Sequence, residues 1–404
     1  MLFYNKLERI DIMALSLGTI IILGLSFNKL FNKLRLPGLL GMLFLGIIIG
    51  PYGLNFLSKD ILLISSDLRT IALIIILLRA GLGIERDSLK KVGPSAIKMS
   101  FIPGLLEGLT ITFLASYLFK LSKVEAGMLG FIIAAVSPAV VVPQMLNLLD
   151  QKLGTKKGIP TLILAGASID DVVAITIFTT FLGLYGGKNI NVFTKILQIP
   201  LSILLGLILG TIAGILIVYM FKKFHIRDTK KTLILIAIAI LFTSLEEFLK
   251  NFIPIASLLG VMTIGFVILE RYPIVADRLS SKLNKIWVFA ELLLFVLVGA
   301  QVNIHLAADS GLLGLFIIFI GLLARSIGVL ISITGTDFNL KEKLFCVIAY
   351  TPKATVQAAI GAVPLAAGVQ SGDLILAIAV LSIIITAPLG AMGIKLSGQK
   401  WLKA

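Results

Sequence analysis

Two adjacent aspartates, Asp170 and Asp171, lie in the middle of an apolar stretch that reads GASIDDVVAIT at residues 166–176. Removal from water favours the protonated form of a carboxylate, and a second carboxylate beside it strengthens that preference. Hard metal cations prefer oxygen ligands, and Ser168 adds a hydroxyl close to the pair. These residue types predict a site at which protons and a hard cation compete for the same oxygens. The alternative is that both carboxylates only form hydrogen bonds that hold helices together.

Three more charged residues occupy otherwise apolar stretches, namely Glu107, Arg325 and Lys353. If these stretches cross a membrane, each charge at the bilayer centre costs at least about 2.5–3.5 kcal/mol, so such groups generally face protein or water and pair with one another. We predict a buried ion pair between Glu107 and Arg325. Two roles stay open for this pair, which either fixes the packing of two helices or takes part in gating and coupling.

Two apolar segments contain a proline directly after a hydroxyl residue: AVSPAVVV at residues 135–142 and AYTPKATV at residues 349–356. Proline removes a backbone donor and breaks a helix, which leaves half-helix ends with partial charges at mid-membrane depth. We expect Lys353 to compensate the carbonyl ends of these broken helices rather than to contact the transported ion. The residues predicted to support the ion site beside the carboxylates are Ser137, Pro138, Ser168 and Thr355.

The composition predicts the elements that carry these residues. Hydrophobic residues make up 58% of the chain and charged residues 14%, and apolar runs of about 15–25 residues follow one another. A helix satisfies its own backbone hydrogen bonds in lipid, and the runs lack the alternation of barrel strands, so we predict an all-α polytopic membrane protein. About thirteen spans are predicted by hydropathy. Their centres are Thr19, Phe44, Ile75, Gly108, Ser137, Ser168, Leu209, Ile238, Met262, Leu294, Gly321, Thr355 and Ile383.

The two interrupted segments are the fifth and twelfth predicted spans. Because they lie seven spans apart, an odd number, they cross the membrane in opposite directions. Glu107 and Arg325 fall in the fourth and eleventh spans and show the same relation. This pattern predicts two inverted-topology repeats, an architecture that many secondary transporters share. The alternative is that proline is simply common in membrane helices.

The formal net charge is +15, and the distribution of the basic residues among the loops accounts for it. About 24 Lys and Arg residues fall on the side of the C-terminus and about eight on the other side. By the positive-inside rule we predict a cytoplasmic C-terminus and an N-terminus outside. The basic excess therefore reflects topology, and we predict no nucleic-acid partner.

Several classes of protein are disfavoured. An intramembrane aspartyl protease uses two aspartates on different helices, usually with a GxGD motif that is absent here, and nothing resembles a channel selectivity filter. Cys346 is the single cysteine, so no disulfide framework is predicted, and neither a CxxC motif nor a histidine cluster suggests a metal cofactor. We predict a transporter rather than an enzyme, with no cofactor.

Five segments follow one another from the third span almost to the C-terminus. They are RAGLGIERDSLKK from Arg79, AAVSPAVVVPQML from Ala134, KKGIPTLILAGASIDDVVAIT from Lys156, NLKEKLFCVIAYTPKATVQAAIGAVPL from Asn339 and LSIIITAPLGAMGI from Leu381. Together they resemble the sodium/proton antiporters of the monovalent cation:proton antiporter superfamily, and most closely the Asp-Asp sodium/lithium–proton antiporters shared by bacteria and animals. The resemblance covers most of the chain.

The resemblance implies a fold and an assembly. A single exchanger domain would span residues 1–404, with two inverted repeats whose broken helices cross. Its core would comprise roughly residues 67–185 and 311–397, and a dimerisation part roughly residues 10–55 and 196–302. Proteins of this kind are homodimers in which the core moves like an elevator against the dimerisation part.

The resemblance also implies an activity, the exchange of Na+ or Li+ for protons across the cytoplasmic membrane by secondary active antiport. Asp171 matches the essential ion- and proton-binding carboxylate and Asp170 its companion, so both would be ligands of the metal ion. Glu107 and Arg325 match a buried acidic–basic pair. Some relatives have a proton-carrying lysine at the position of Arg325, and arginine does not readily lose its proton, so the stoichiometry stays open. A sodium-coupled symporter of organic solutes on the same fold is the alternative.

Overall fold

A computed structural model describes residues 2–34, 36–84, 86–185, 192–249, 252–302 and 311–403, with side chains from residue 13 onward apart from 192–196. Arg35, Lys188 and Lys250, which enter the charge count, lie outside the described residues. The regular elements in the described ranges are all helices, which confirms the all-α prediction. They are α1 (Leu2–Lys33), α2 (Gly38–Ile49), α3 (Lys59–Leu63), α4 (Ser65–Gly81), α5 (Arg86–Leu118), α6 (Lys123–Ile133), α7 (Pro138–Asp150), a 3-10 turn (Thr155–Lys157), α8 (Ile159–Tyr185), α9 (Val192–Lys223), α10 (Asp228–Leu249), α11 (Ser257–Arg271), α12 (Pro273–Ala300), α13 (Gly311–Ser332), α14 (Leu340–Ala349), α15 (Thr355–Ile360), α16 (Val363–Ala366) and α17 (Gly372–Trp401).

Nine segments of the described chain are long and apolar enough to cross a membrane. They are Met13–Lys33, Arg86–Leu118, Lys123–Asp150, Ile159–Tyr185, Leu197–Lys223, Asp228–Leu249, Pro273–Ala300, Gly311–Ser332 and Gly372–Trp401. The other four predicted centres fall in shorter helices or at a helix start: α2 has 12 residues, α4 has 17, α11 has 15, and α15 begins at Thr355. A polytopic membrane protein is confirmed, and the count of thirteen spans stays a prediction.

The two predicted helix breaks are present and they touch each other. Helix α6 ends at Ile133 and α7 starts at Pro138, while α14 ends at Ala349 and α15 starts at Thr355. Between them, the backbone amide of Ser137 donates to the carbonyl of Pro352 at 2.8 Å. The broken helices therefore cross at their unwound segments, as the resemblance to the antiporters implies.

Both broken helices begin with the same helix-capping motif. Ser122 and Glu125 form a capping box at the start of α6, with hydrogen bonds of 3.1 and 3.2 Å. Asn339 and Glu342 form a second one at the start of α14, at 2.7 and 3.0 Å. A capping box satisfies backbone amides that have no partner inside the helix. The two helices are thus fixed at their starts by side chains and interrupted in their middles by proline.

The helices form two packed groups that meet around α7 and α8. In one group α5 packs against α6, α8 and α13, and α17 packs against α6, α14 and α15. In the other group α11 and α12 pack together and against α4, and α2 packs against α1 and α12. Helix α9 packs along α11 and also contacts α8, and α7 contacts α4.

One close approach positions charged residues on α5 and α13. A Cβ atom added to Gly328 would lie 2.6 Å from the Cα of Pro103, closer than real Cβ atoms come. Glycine therefore allows the two helix backbones to touch, as small residues do in membrane helix pairs. About one turn along each helix lie Glu107 and Arg325, whose side chains meet as a result of this contact.

Candidate cation site

Asp171 faces a cavity. It lies 12 positions after the first residue of α8, about 18 Å along the helix, and lines a cavity of about 450 Å³ together with Pro138 and Ser168. Its Oδ1 atom is buried and accepts no hydrogen bond from the part of the chain that the structure describes. Asp171 is therefore a carboxylate with space in front of it and no bound side chain to neutralise it.

Asp170 has a different environment. Its side chain is 1% exposed, and its Oδ2 atom accepts hydrogen bonds from Arg325 at 2.9 Å and from the backbone amide of Val136 at 2.8 Å. Successive helical positions point about 100° apart, which turns one aspartate toward the neighbouring helices and the next toward the cavity. The adjacent carboxylates thus have separate surroundings.

Arg325 lies where the two broken helices cross. The fully buried guanidinium donates to Glu107 at 2.7 Å and to Asp170. It also donates to the carbonyls of Ala134 and Tyr350, which lie just after the ends of α6 and α14. The predicted partner Glu107 is in contact, and Asp170 is a second partner. Because a guanidinium keeps its proton in proteins, this group is a fixed positive charge at the crossing.

Lys353 is fully buried in the unwound segment before α15. Its Nζ atom donates to Glu107 at 2.6 Å, and its backbone amide donates to the hydroxyl of Thr386 at 2.8 Å. From the sequence, its ammonium group is predicted to compensate the carbonyl ends of the broken helices. In the structure that group pairs with Glu107, and other side chains contact the carbonyls.

Gln357 is one of those other side chains, and the sequence analysis missed it. Its amide nitrogen donates to the carbonyls of Ile132 and Ala135 at 3.0 Å and of Ile133 at 3.3 Å. These carbonyls belong to the last turn of α6 and to the break, where no further helical amide can reach them. The available signal was a single amide side chain in the apolar run that follows Lys353.

The four residues predicted to support the ion site fall into two sets. Pro138 and Ser168 line the cavity beside Asp171, and the Ser168 hydroxyl donates to the carbonyl of Leu164 at 2.8 Å, which leaves its oxygen lone pairs free to accept. Ser137 and Thr355 lie at the crossing, with their hydroxyl oxygens 3.4 Å apart, and do not line this cavity.

The far end of the cavity is acidic, which was also missed. Glu246 and Glu247, near the end of α10, line it together with Ser257. Ser257 donates to Glu246 from its hydroxyl and from its backbone amide, the latter at 3.2 Å. Carboxylates around a cleft raise the local concentration of cations, and this cavity has them at Glu246 and Glu247 as well as at Asp171.

The charges buried around the crossing of the broken helices balance except at Asp171. Two carboxylates, Glu107 and Asp170, face two cationic groups, Arg325 and Lys353, through contacts of 2.6 to 2.9 Å. This four-residue charge network is internally neutral. Buried charges are stable when paired and hydrogen-bonded, so the remaining carboxylate needs a proton or a cation from outside. The arrangement can bind one of these at a time.

Comparison with known proteins gives consistent results. The family described as "Sodium/hydrogen exchanger, transmembrane" matches residues 17–397. Human sodium/hydrogen exchanger 9B2 is 35% identical over 398 residues, which cover 94% of this chain and 72% of the relative. Human sodium/hydrogen exchanger 9B1 is 32% identical over 395 residues, which cover 91% of this chain and 73% of the relative. The solved sodium proton antiporter MjNhaP1 from Methanocaldococcus jannaschii superposes with a TM-score of 0.77 at 20% identity, covering 95% of this chain and 96% of that one.

Proposed function

Because the chain belongs to the sodium/hydrogen exchanger family and is a cation:proton antiporter, we propose that it exchanges Na+ or Li+ for protons at the carboxylate of Asp171. The observation that carries this proposal is the charge balance. The four-residue charge network is self-contained, and Asp171 faces an open cavity with no hydrogen-bond partner among the described residues. A proton or a monovalent cation each neutralises a single carboxylate, so the two exclude each other.

Neutralisation also gives a reason for obligatory exchange. A bare carboxylate carried through a low-dielectric environment is costly, whereas the same group with a proton or a cation bound is neutral. The loaded site can therefore change sides and the empty site is held back. Ser168 is suited to supply a second oxygen ligand to the cation, since it lines the same cavity.

We place the open side of the described conformation outside the cell. The cavity in front of Asp171 leads to the end of α10, and the Lys and Arg asymmetry of the loops puts that end away from the cytoplasm. On the opposite side, Arg79 of α4 pairs with Asp150 at the end of α7 at 2.8 Å. This contact joins the two packed groups on the predicted cytoplasmic side, which supports an outward-facing state.

The packing supports a moving core and a fixed part. We propose that the core comprises α5–α8 and α13–α17, and that the scaffold comprises α1, α2, α4 and α9–α12. Helix α4 contacts mainly α11 and α12, so we assign it to the scaffold although the sequence analysis began the core near residue 67. We further propose a homodimer in the cytoplasmic membrane, with its N-terminus outside and its C-terminus in the cytoplasm.

The decisive variant is Asp171→Asn, measured as Na+- or Li+-driven proton flux in proteoliposomes. We expect exchange to fall to background, because the amide binds neither a proton nor a cation strongly, while the protein stays folded because no native hydrogen bond of this side chain is lost. Asp277→Asn, an exposed aspartate at the start of α12, is the matched control and should exchange normally.

Normal cation-driven proton flux in Asp171→Asn would contradict the assignment. Running Na+, Li+ and K+ in separate arms identifies the transported ion. Solute-dependent Na+ uptake without proton movement would indicate a symporter, the alternative that the family does not favour.

A further inference from the structure

A basic pocket lies far from Asp171, at the ends of the apolar spans. It has a volume of about 490 Å³ and is formed by the end of α9, the start of α10 and the start of α12. The apolar spans of α9 and α10 end at Lys223 and begin at Asp228, so the pocket lies at the boundary between membrane and water. The charge count places this boundary on the cytoplasmic side.

The deepest cation in this pocket has no acidic partner. Lys231 is 6% exposed, and its Nζ atom lies 5.4 Å from the ring centroid of Phe221 and 5.8 Å from that of Tyr272. No hydrogen bond or ion pair reaches it from the described residues. Aromatic rings stabilise a cation only partly, and a buried ammonium group generally requires a hydrogen-bonded counterion. Lys231 therefore lacks the anion that its burial calls for.

The surroundings of Lys231 carry the same sign. The Nζ atom of Lys222 lies 5.4 Å from the ring centroid of Tyr272, one of the two rings that contact Lys231. The exposed Arg227 and Arg278 line the rim of the pocket. A single carboxylate, Asp228, lines the pocket, and it lies 3.4 Å from Arg278. Helix α10 starts here, and its unpaired backbone amides and dipole add positive potential. Cationic groups thus outnumber the one carboxylate.

We propose that this pocket binds a phosphate group. A phosphate offers several acceptor oxygens to the three donor hydrogens of Lys231 and to the guanidinium groups at the rim. Because the pocket opens at the membrane surface, its source is the head group of an anionic lipid or free inorganic phosphate. Basic pockets between transmembrane helices on the cytoplasmic side bind anionic lipid head groups by this chemistry.

The test uses full-length, delipidated protein in detergent at constant Na+, with three probes added in separate arms: phosphatidylglycerol, phosphatidylethanolamine, and Tris phosphate against Tris chloride. Binding is measured as retained lipid by native mass spectrometry and as the shift of the thermal midpoint. The variant is Lys231→Met, which keeps the volume and removes the charge. Lys230→Met removes the exposed neighbouring charge and is the matched control.

We expect Lys231→Met to bind the effective probe about tenfold more weakly, the loss of one charge-assisted hydrogen bond, and Lys230→Met to bind like wild type. Stabilisation by phosphatidylglycerol alone identifies a lipid as the source, and stabilisation by Tris phosphate identifies free phosphate. Equal binding by wild type and Lys231→Met, or binding of neither phosphatidylglycerol nor phosphate to wild type, overturns the proposal. If Lys231→Met does not fold, Lys222→Gln combined with Arg227→Gln, at exposed positions, must show the same loss.

Discussion

At the scale of single residues, the charge network separates two tasks that one carboxylate could not perform together. Asp170 fixes the helix break by accepting hydrogen bonds from Val136 and Arg325, and these contacts occupy one of its oxygens. Asp171 keeps its oxygens free for exchange. A side chain that must release its ligand cannot also be the side chain that holds the helices, because release would then loosen the site.

The network itself can be tested by removing charges singly and in pairs. We expect Glu107→Gln to lower stability by about 3–5 kcal/mol, because it leaves two buried cations with one carboxylate. Lys353→Met should also lower the stability of the protein, since it leaves Glu107 with Arg325 as its only cationic partner among the described residues. The double variant removes one charge of each sign and keeps the pair of Arg325 and Asp170, so its loss should be smaller than the sum of the two.

The measurement is the thermal midpoint of the purified protein in detergent, with the double-mutant cycle giving the coupling. If the stability losses of the two single variants add up to that of the double variant, Glu107 and Lys353 are not energetically coupled, despite their contact. Each single variant should be compared with Lys341→Met, an exposed lysine on α14.

Gln357 belongs to the same scale. Gln357→Leu keeps the volume and leaves the carbonyls at the end of α6 without their donor, at a cost of about 1–3 kcal/mol. We expect a lower thermal midpoint and faster hydrogen–deuterium exchange around residues 134–137. Gln399→Leu, at an exposed position of α17, controls for the change in composition. Unchanged exchange at the break would show that the amide contributes nothing there.

At the scale of elements, the contact between α4 and α7 is the point at which the proposed core and scaffold are tied on one side. Arg79 is largely buried, while the side chain of Asp150 is 65% exposed, so solvent screens this pair. Partly exposed pairs contribute up to about 1 kcal/mol. Such a contact biases a conformational equilibrium without locking it, which suits a transporter that must leave this state in every cycle.

Asp150→Asn should shift the population away from the described conformation, by at most about fivefold for a pair of this strength. The shift can be read from Thr176→Cys, which lines the cavity of Asp171, as slower labelling by an impermeant thiol reagent added outside. Cys346 is fully buried, so the background is low. Asp87→Asn, in the same cavity as Asp150, should leave the labelling unchanged, and faster labelling in Asp150→Asn would contradict the proposed role of the contact.

The sequence predicts the helices and their breaks better than it predicts the contacts between side chains. The helix breaks follow from Pro138 and Pro352, whose missing backbone donors act locally. Side-chain partners do not follow from hydropathy, because lipid-facing and protein-facing positions of a membrane helix are both apolar. The contact of Lys353 with Glu107 joins residues 246 positions apart. It depends on how closely the unwound segment before α15 approaches α5. For the same reason the contacts of Gln357 and Glu246 were not predicted, whereas Asp171 was predicted as a site residue, since the cost of its charge in lipid is evident from the sequence alone.

At the scale of the whole molecule, the neutral network predicts the charge moved in each cycle. Arg325 keeps its proton and Lys353 is paired with Glu107, so the proposed exchange places the proton and the cation on Asp171 alone. We expect one cation per proton and no net charge transfer. Proton flux in vesicles with the membrane potential clamped at zero should then equal that with an inside-negative potential. A rate or an end point that depends on potential would show that a second group, with Lys353 the first candidate, also carries protons.

The order of synthesis places a further demand on the charge network. Its carboxylates lie in the first half of the chain and its cationic groups in the second, with Asp170 and Arg325 separated by 155 positions. At ordinary rates of translation, the acidic half waits on the order of ten to thirty seconds for its counterions. During that interval Glu107 and Asp170 have been synthesised and their cationic partners have not. The helices that carry the two carboxylates therefore cannot reach their final packing until α13 and the segment before α15 have followed them.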